Sequence, residues 1–213
     1  MSTSNKFHTR NATLANDDVQ FIIAAFDSTL PYLASIGAGG MWGEQPFSQK
    51  DGFEEDTVDS IRKSEQNEDP SKVMIAEVET SDHVEGGERP QDAKVLTRVG
   101  AAVILDSLPS YLRAREELKA EIEKEKKFLY LEVIISDFRT DPLHRGAGAA
   151  LIEAVKGYGR VNKYDTLYVD CWAGNGGRLN RYYEKLGFNH VGDFSFKRAS
   201  GETWPGTLFS VDL

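Results

Sequence analysis

The sequence predicts an α/β domain in which strands and helices alternate around one sheet. Two observations carry that prediction. Short, dense apolar runs at 73–78, 95–105, 128–136 and 167–172 read as strands, and apolar residues recur at helical spacing between them. A glycine-rich turn, Arg145-Gly146-Ala147-Gly148-Ala149-Ala150, opens one of those helices, with 137–143 between it and the preceding strand-like run. The chain has 213 residues, a length that suits one domain or one domain with an elaboration. Counted along the chain, the order is β-α-α-β-β-α-β-α-β-α-β-β, without internal repeat or low-complexity segment.

Phe7 to Thr13 reads as a short first strand. Asp17 and Asp18 supply a helix cap and an acidic first turn. Val19, Ile22, Ile23 and Phe26 then recur at helical spacing, and Pro31 ends or kinks that helix. Gly37 to Gly43 is a glycine-rich loop carrying Trp42. Glu54 to Gln66 is a charged second helix with Val58 and Ile61 turned inward. Val73–Val78 is a strand, and Val95–Leu105 is its antiparallel partner across a mobile polar loop, 81–92. Pro109 breaks the pattern. Arg113 to Lys127 predicts one exposed, inserted helix with Leu118 and Ile122 as a thin apolar line, held by pairs such as Arg113–Glu117 and Glu123–Lys127.

Phe128 to Ser136 is apolar enough for a central strand. The helix after the glycine turn buries Leu151, Ile152, Val155 and Tyr158. Leu167–Trp172 is the next strand. Leu179, Tyr182, Tyr183 and Leu186 fall at i, i+3, i+4 and i+7, and Gly187 is the left-handed stop of that helix. His190–Lys197 and Leu208–Leu213 close the chain as strands.

Composition narrows the function classes. At 40% hydrophobic and 28% charged residues, the chain has the make-up of a soluble globular protein. A formal charge of −9 argues against general nucleic-acid binding and is compatible with a cationic small substrate such as an amine. No apolar run suits a membrane span, and Met1–Phe7 has no signal-peptide core. The single cysteine, Cys171, excludes an intrachain disulfide, so the expected location is the cytoplasm. His8, His83, His144 and His190 have no metal-ligand spacing, and no metal is expected.

A glycine-rich turn at a helix start suits a phosphate, because unpaired backbone amides and the helix dipole both face the anion. A dinucleotide-binding turn would need a third glycine and a strand leading straight into it, whereas 137–143 intervenes here. The second helix ends Tyr183-Glu184-Lys185-Leu186-Gly187-Phe188, one strand after the turn. Together these segments resemble the GNAT superfamily of acyl-CoA-dependent N-acyltransferases. Looser similarity to a microbial subgroup of that superfamily extends to 32–37, Met41–Phe47, Asp170–Gly174 and Trp204–Phe209.

The resemblance implies a mixed, mostly antiparallel twisted sheet of about seven strands flanked by helices. It implies acetyl-CoA as co-substrate and a small-molecule primary amine as acceptor, with peptide acetylation or a non-catalytic acyl-CoA-binding role as alternatives. No nucleic-acid or membrane partner is implied, and a homodimer is allowed. The backbone of Ile134, Ile135 and Ser136 would pair with the pantetheine amides. Arg145, Gly146, Ala147, Gly148, Ala149 and Ala150 would surround the pyrophosphate. Two registers fit, Arg145-x-x-Gly148-x-Ala150 and Gly146-x-Gly148, and the sequence does not choose between them.

Tyr183 matches the tyrosine that lies beside the thioester sulfur in the family and often protonates the departing thiolate. Tyr182 is read as packing. The family's cofactor-touching asparagine falls at Gly176, so the neighbouring Asn175 is carried over in its place. Glu132 is the candidate base for the acceptor ammonium, because only the neutral amine attacks a thioester. Strand alternation sets it on the face opposite Leu131 and Val133, and Asp170 and Glu77 stand in reserve. Cys171 reads as an inert buried thiol. Trp42, Phe47, Trp172 and Trp204 are candidates to line an acceptor pocket.

Overall fold

The computed structural model describes residues 7–67, 71–81, 94–124, 126–198 and 201–213. Its strands are β1 (Phe7–Asn11), β2 (Lys72–Ser81), β3 (Lys94–Leu105), β4 (Phe128–Ser136), β5 (Thr166–Trp172), β6 (Asn189–Lys197) and β7 (Thr203–Asp212). Its α-helices are α1 (Asp18–Ser35), α2 (Phe53–Gln66), α3 (Ser110–Arg113), α4 (Lys119–Ile122), α5 (Ala147–Val161) and α6 (Gly174–Lys185). The strands form one seven-stranded sheet in the order β1-β2-β3-β4-β5-β7-β6. Every neighbouring pair is antiparallel except β4 with β5, where α5 provides the long crossover that a parallel pair requires.

One face of the sheet buries Leu129, Leu131, Leu167 and Val169 against Leu151, Ile152 and Val155 of α5 and Tyr183 of α6. α5 packs directly over Gly100 of β3. A Cβ there would stand 2.6 Å from the Ile135 carbonyl oxygen and 3.4 Å from Ala147 and Leu151 side-chain atoms. The other face holds two separate clusters. Phe21, Ile22 and Phe26 of α1 and Ile61 of α2 pack with Val73, Ile75, Ala101 and Ile135. Leu108, Leu112 and Leu118 pack with Tyr130, Tyr168, Phe194 and Leu208.

Several expectations need correction. Residues 113–127 do not form one exposed helix. They break into α3, a 3₁₀ turn at Glu116–Leu118, and α4. Leu112 and Leu118, six positions apart, are both essentially buried. One α-helix cannot turn residues six apart to the same face, so the chain breaks at Ala114–Arg115 to dock both. Among the described residues the expected pairs Arg113–Glu117 and Glu123–Lys127 do not form, and Lys119 pairs with Glu116 and Glu123 instead.

Asp18 is not a capping residue. It is fully buried and accepts hydrogen bonds from Arg10, Arg98 and the Thr13 amide, tying α1 to β1 and β3. Asp17, at the N-cap, makes no side-chain cap bond. Helix α1 runs through Pro31 to Ser35 and buries Leu33 on the way. β7 begins at Thr203, five residues before the expected start. Pro205 is tolerated because it lies just beyond the last β5 partner, where Gly206 faces Trp172. The 81–92 loop, apart from Ser81 at the end of β2, lies outside the described residues, as does His83.

Candidate active site

The sheet opens at its centre. β4 and β5 pair from Phe128–Thr166 to Leu131–Val169, and the ladder then stops. Beyond that point β4 stays with β3 as far as Ser136–Gly100, while β5 stays with β7 as far as Trp172–Gly206. The two strands therefore part into a V with unpaired backbone inside it. A β-bulge sits at the fork. Val103 faces Val133 and Ile104 faces Leu131, so Glu132 is the extra residue. A bulge interrupts alternation. The expectation that Glu132 and Val133 take opposite faces therefore fails, and both side chains line the same cavities.

Register parity decides which backbone groups are free. The Asp137 amide donates to the Val99 carbonyl at 2.9 Å. Alternate residues of an antiparallel strand turn to the same neighbour, so Ile135 also turns its backbone to β3. Ile134 and Ser136 turn theirs into the V, where the Ser136 carbonyl accepts from Thr29 Oγ1 at 3.4 Å. Ile135, with its side chain buried in the α1 cluster, supports the wall rather than presenting an edge. All three residues border a cavity of about 340 Å³ between α1 and α6. Asn175 lines it too, and its Nδ2 donates to the Ile36 carbonyl at 3.0 Å. Asn175, Gly176 and Gly177 are all left-handed, which turns the start of α6 around this wall.

The glycine turn lies at the N-terminus of α5. Gly146 is its N-cap at φ 98°, a conformation that favours glycine. Three amides of the turn are already used. Arg145 donates to Pro142, Ala147 to His144 and Ala150 to Gly146, at 3.2, 2.9 and 3.0 Å. Gly146, Gly148 and Ala149 keep open amides among the described residues, as the first turn of a helix does without an external acceptor. The geometry thus follows the Gly146-x-Gly148 spacing. Arg145 is exposed and paired with Asp141 at 2.9 Å. Ala147 is fully buried beneath the turn, so it contributes packing.

Gly148 is close to Tyr182. A Cβ on Gly148 would lie 3.0 Å from the Tyr182 hydroxyl. Tyr182 is partly exposed and lines the narrower cavity, so it is not the packing residue that its helical spacing suggested.

A second cavity, of about 490 Å³, adjoins the first. Met41, Trp42, Ile134, Trp172 and Leu179 border both. All four candidate pocket aromatics, Trp42, Phe47, Trp172 and Trp204, line the larger one, together with Phe26, Phe53, Tyr111 and Phe196. Glu132 and Asp170 face it from the two arms of the V. Asp170 is held by the hydroxyls of Tyr111 at 3.1 Å and of Tyr130, which are themselves 3.1 Å apart. Burial raises the Asp170 carboxyl above its ordinary value against the pull of those bonds. Burial, and then the Asp170 charge, likewise raise Glu132. The Glu132 carboxyl has no hydrogen-bond or salt-bridge partner among the described residues, so it is the available proton acceptor of the pair. Glu77, the other reserve residue, is bound to Arg10 at 2.8 Å on the β1–β2 edge.

Tyr183 reaches the same cavity from α6. Its ring packs on Phe188 and Phe209, and its hydroxyl has no hydrogen-bond partner among the described residues. Burial pushes the phenol well above its ordinary value, so it stays protonated. Cys171 lies nearby with its thiol pushed up by burial to about 12, which leaves almost no thiolate at neutral pH. Among the described residues no cluster of three or more His, Cys, Asp or Glu side chains is placed to hold a metal. No helix among them is long and apolar enough to cross a membrane.

No protein-family model matches the chain, and a search of curated proteins finds no match. Solved structures do match over nearly the whole length. A GNAT-family acetyltransferase from Listeria monocytogenes is similar at a TM-score of 0.60 and 17% identity, covering 99% of both chains. Ribosomal-protein-alanine N-acetyltransferase from Brucella melitensis aligns at 0.59 and 16%, covering 97% of this chain and 99% of that one. The yncA protein of Salmonella typhimurium, solved with its cofactor acetyl-CoA, aligns at 0.57 and 12%, covering 98% and 95%. The chain has the fold of the GNAT acetyltransferases.

Proposed function

We propose that the protein is an N-acetyltransferase that moves an acetyl group from acetyl-CoA directly to a primary amine of a small molecule. The observation that carries the reading is the V between β4 and β5, with open helix amides beyond one side and an acidic, aromatic cavity on the other. The first cavity suits acyl-CoA. Ile134 and Ser136 offer backbone groups for pantetheine amides, Asn175 and Tyr182 shape the wall, and Gly146, Gly148 and Ala149 offer amides for a pyrophosphate. Acetyl-CoA supplies an activated thioester where the two cavities meet.

The remaining chemistry belongs to this chain. Glu132 takes a proton from the acceptor ammonium, and its raised basicity suits that task. The amine nitrogen then bonds to the thioester carbonyl carbon while open β4 amides stabilise charge on the carbonyl oxygen. The carbon–sulfur bond breaks, and Tyr183 donates its proton to the departing sulfur. The surplus proton on the attacking nitrogen restores the Tyr183 phenol, while Glu132 releases the first proton to solvent. The products are the N-acetyl amine and free CoA thiol. The high thiol pKa of Cys171 disfavours a route through an acetylated cysteine. The aromatic lining and the volume of about 490 Å³ of the larger cavity suit a small molecule. A thiol-release screen with acetyl-CoA and a panel of amines, amino acids and peptides tests this. Amine-dependent thiol release is expected, and binding of acetyl-CoA without turnover on any acceptor would leave only a sequestering role.

A further inference from the structure

The larger cavity carries a feature that amine chemistry alone does not use. Opposite in charge to Glu132 and Asp170, two cations face it: Lys50, from the loop before α2, and Arg198, at the end of β6. Neither forms a salt bridge among the described residues, in a chain whose net charge is −9. Each is instead held in position by neutral groups. The Lys50 ammonium lies 3.3 Å from the centre of the Phe47 ring. Arg198 donates to the Met41 carbonyl, which also accepts from Trp204 Nε1 at 3.1 Å. Burial and then the Arg198 charge depress the Lys50 ammonium, with the Asp27 charge opposing them in part, so the two cations feel one another.

Asp27 is the carboxylate that acts on Lys50, but it accepts from the Phe47 and Ser48 amides and forms no ion pair with either cation among the described residues. The two like charges at one cavity wall are therefore poised for an anion from outside. The phosphates of CoA are poor candidates for that anion. Lys50 and Arg198 border the larger cavity and not the narrower one, whose Tyr182 reaches the glycine turn. We infer that the acceptor is a zwitterion: a small amine that also carries a carboxylate, its ammonium directed to Glu132 and Asp170 and its carboxylate to Lys50 and Arg198. This rests on the acetyltransferase reading and narrows its substrate class. The fork of an arginine guanidinium matches two carboxylate oxygens, and a lysine adds a point charge. The aromatic walls would then hold an apolar side chain between the charged ends.

The test compares acid–amine pairs that differ only in the carboxylate: L-phenylalanine with phenethylamine, L-leucine with isopentylamine, and 4-aminobutyrate with propylamine. Thiol release gives kcat/KM for each, corrected for the fraction of free amine. At least one acid should exceed its partner by about tenfold or more, the scale of one charge-assisted contact. Lys50→Met and Arg198→Met should each collapse that ratio, and Lys50→Arg should keep most of it. Thermal melting of each variant separates misfolding from lost recognition. Equal use of acid and amine in all three pairs, or a ratio untouched in both Met variants, would overturn the inference. Calorimetry of the same pairs, in the presence of CoA, decides the matter independently of turnover. Selective acid binding without acetylation would refute the acetyltransferase reading and keep the zwitterion site. Amine acetylation without acid preference would do the reverse.

Discussion

Replacing Tyr183 by phenylalanine removes one oxygen from a side chain that is only 4% exposed. The ring contacts with Phe188 and Phe209, at centroid distances of 5.5 and 6.0 Å, remain. The hydroxyl has no hydrogen-bond partner among the described residues, so its loss orphans nothing. The change in stability should therefore be within about 1 kcal/mol, or roughly 2–4 °C in melting temperature for a chain of this size. Catalysis should respond differently. If Tyr183 delivers the proton to the leaving thiolate, kcat should fall by roughly 10²-fold or more while KM for acetyl-CoA stays nearly constant. An acetyl thioester with a more acidic thiol needs less protonation and should recover much of the loss. Steady-state thiol release with both donors, beside a thermal melt, measures all three effects. Equal impairment with both donors would make Tyr183 a positioning residue, and full activity with both would reduce it to a core aromatic.

Other outcomes follow from the same geometry. Gly148→Val puts side-chain atoms against the Tyr182 hydroxyl, already 3.0 Å from a bare Cβ, and at the open amides. Calorimetry should record at least about a tenfold loss of acetyl-CoA affinity with the fold retained, and unchanged affinity would remove the phosphate role of the turn. Glu132→Gln should lower the neutral-pH rate by roughly 10²–10⁴-fold, with the deficit shrinking at high pH where free amine is abundant. Because the Glu132 carboxyl is raised in the fold, its favourable contribution exists below the unfolded value and is lost as pH rises through the folded one. Glu132→Gln should therefore melt higher than the parent at neutral pH, and a lower melting temperature would show that the carboxylate is structurally satisfied. Asp18→Asn should cost about 2–4 kcal/mol by thermal or urea unfolding, since Arg10 and Arg98 lose a fully buried partner. Burial raises the Asp18 carboxyl, but bonds from Arg10, Thr13 and Arg98 outweigh it and leave it lowered. Its contribution should thus be present above the unfolded carboxylate value and fade as pH falls through the folded one, and a pH-independent difference would refute that account.

What was legible in the sequence is what local pattern encodes. β4, α5 and β5 appear where apolar density and helical spacing put them, and the glycine turn does open α5. The spacing of Tyr183 correctly sets it on the inner face of α6. Legibility fails where a neighbour in space overrules the local pattern. The 113–127 stretch reads as a charged helix, yet two leucines six apart must both reach the same buried cluster. Glu132 reads as an alternating strand residue, but the bulge exists only against β3. Tyr182 shares the helical spacing of the core residues, and only the proximity of Gly148 draws it into the cleft. Lys50 and Arg198 lie in irregular segments about 150 residues apart, and no periodicity could pair them.

Direct transfer at the V is the central claim, and one experiment reaches it without intermediaries. The protein is mixed with acetyl-CoA and a competent amine at near-equal concentrations, quenched during the first turnover, and both protein and small molecules are weighed by mass spectrometry. The account predicts acetyl on the acceptor in step with free CoA thiol, and no acetyl on the protein, because Cys171, with its thiol near 12, is not a ready nucleophile. An acetylated protein that forms and decays at the rate of product formation would contradict it.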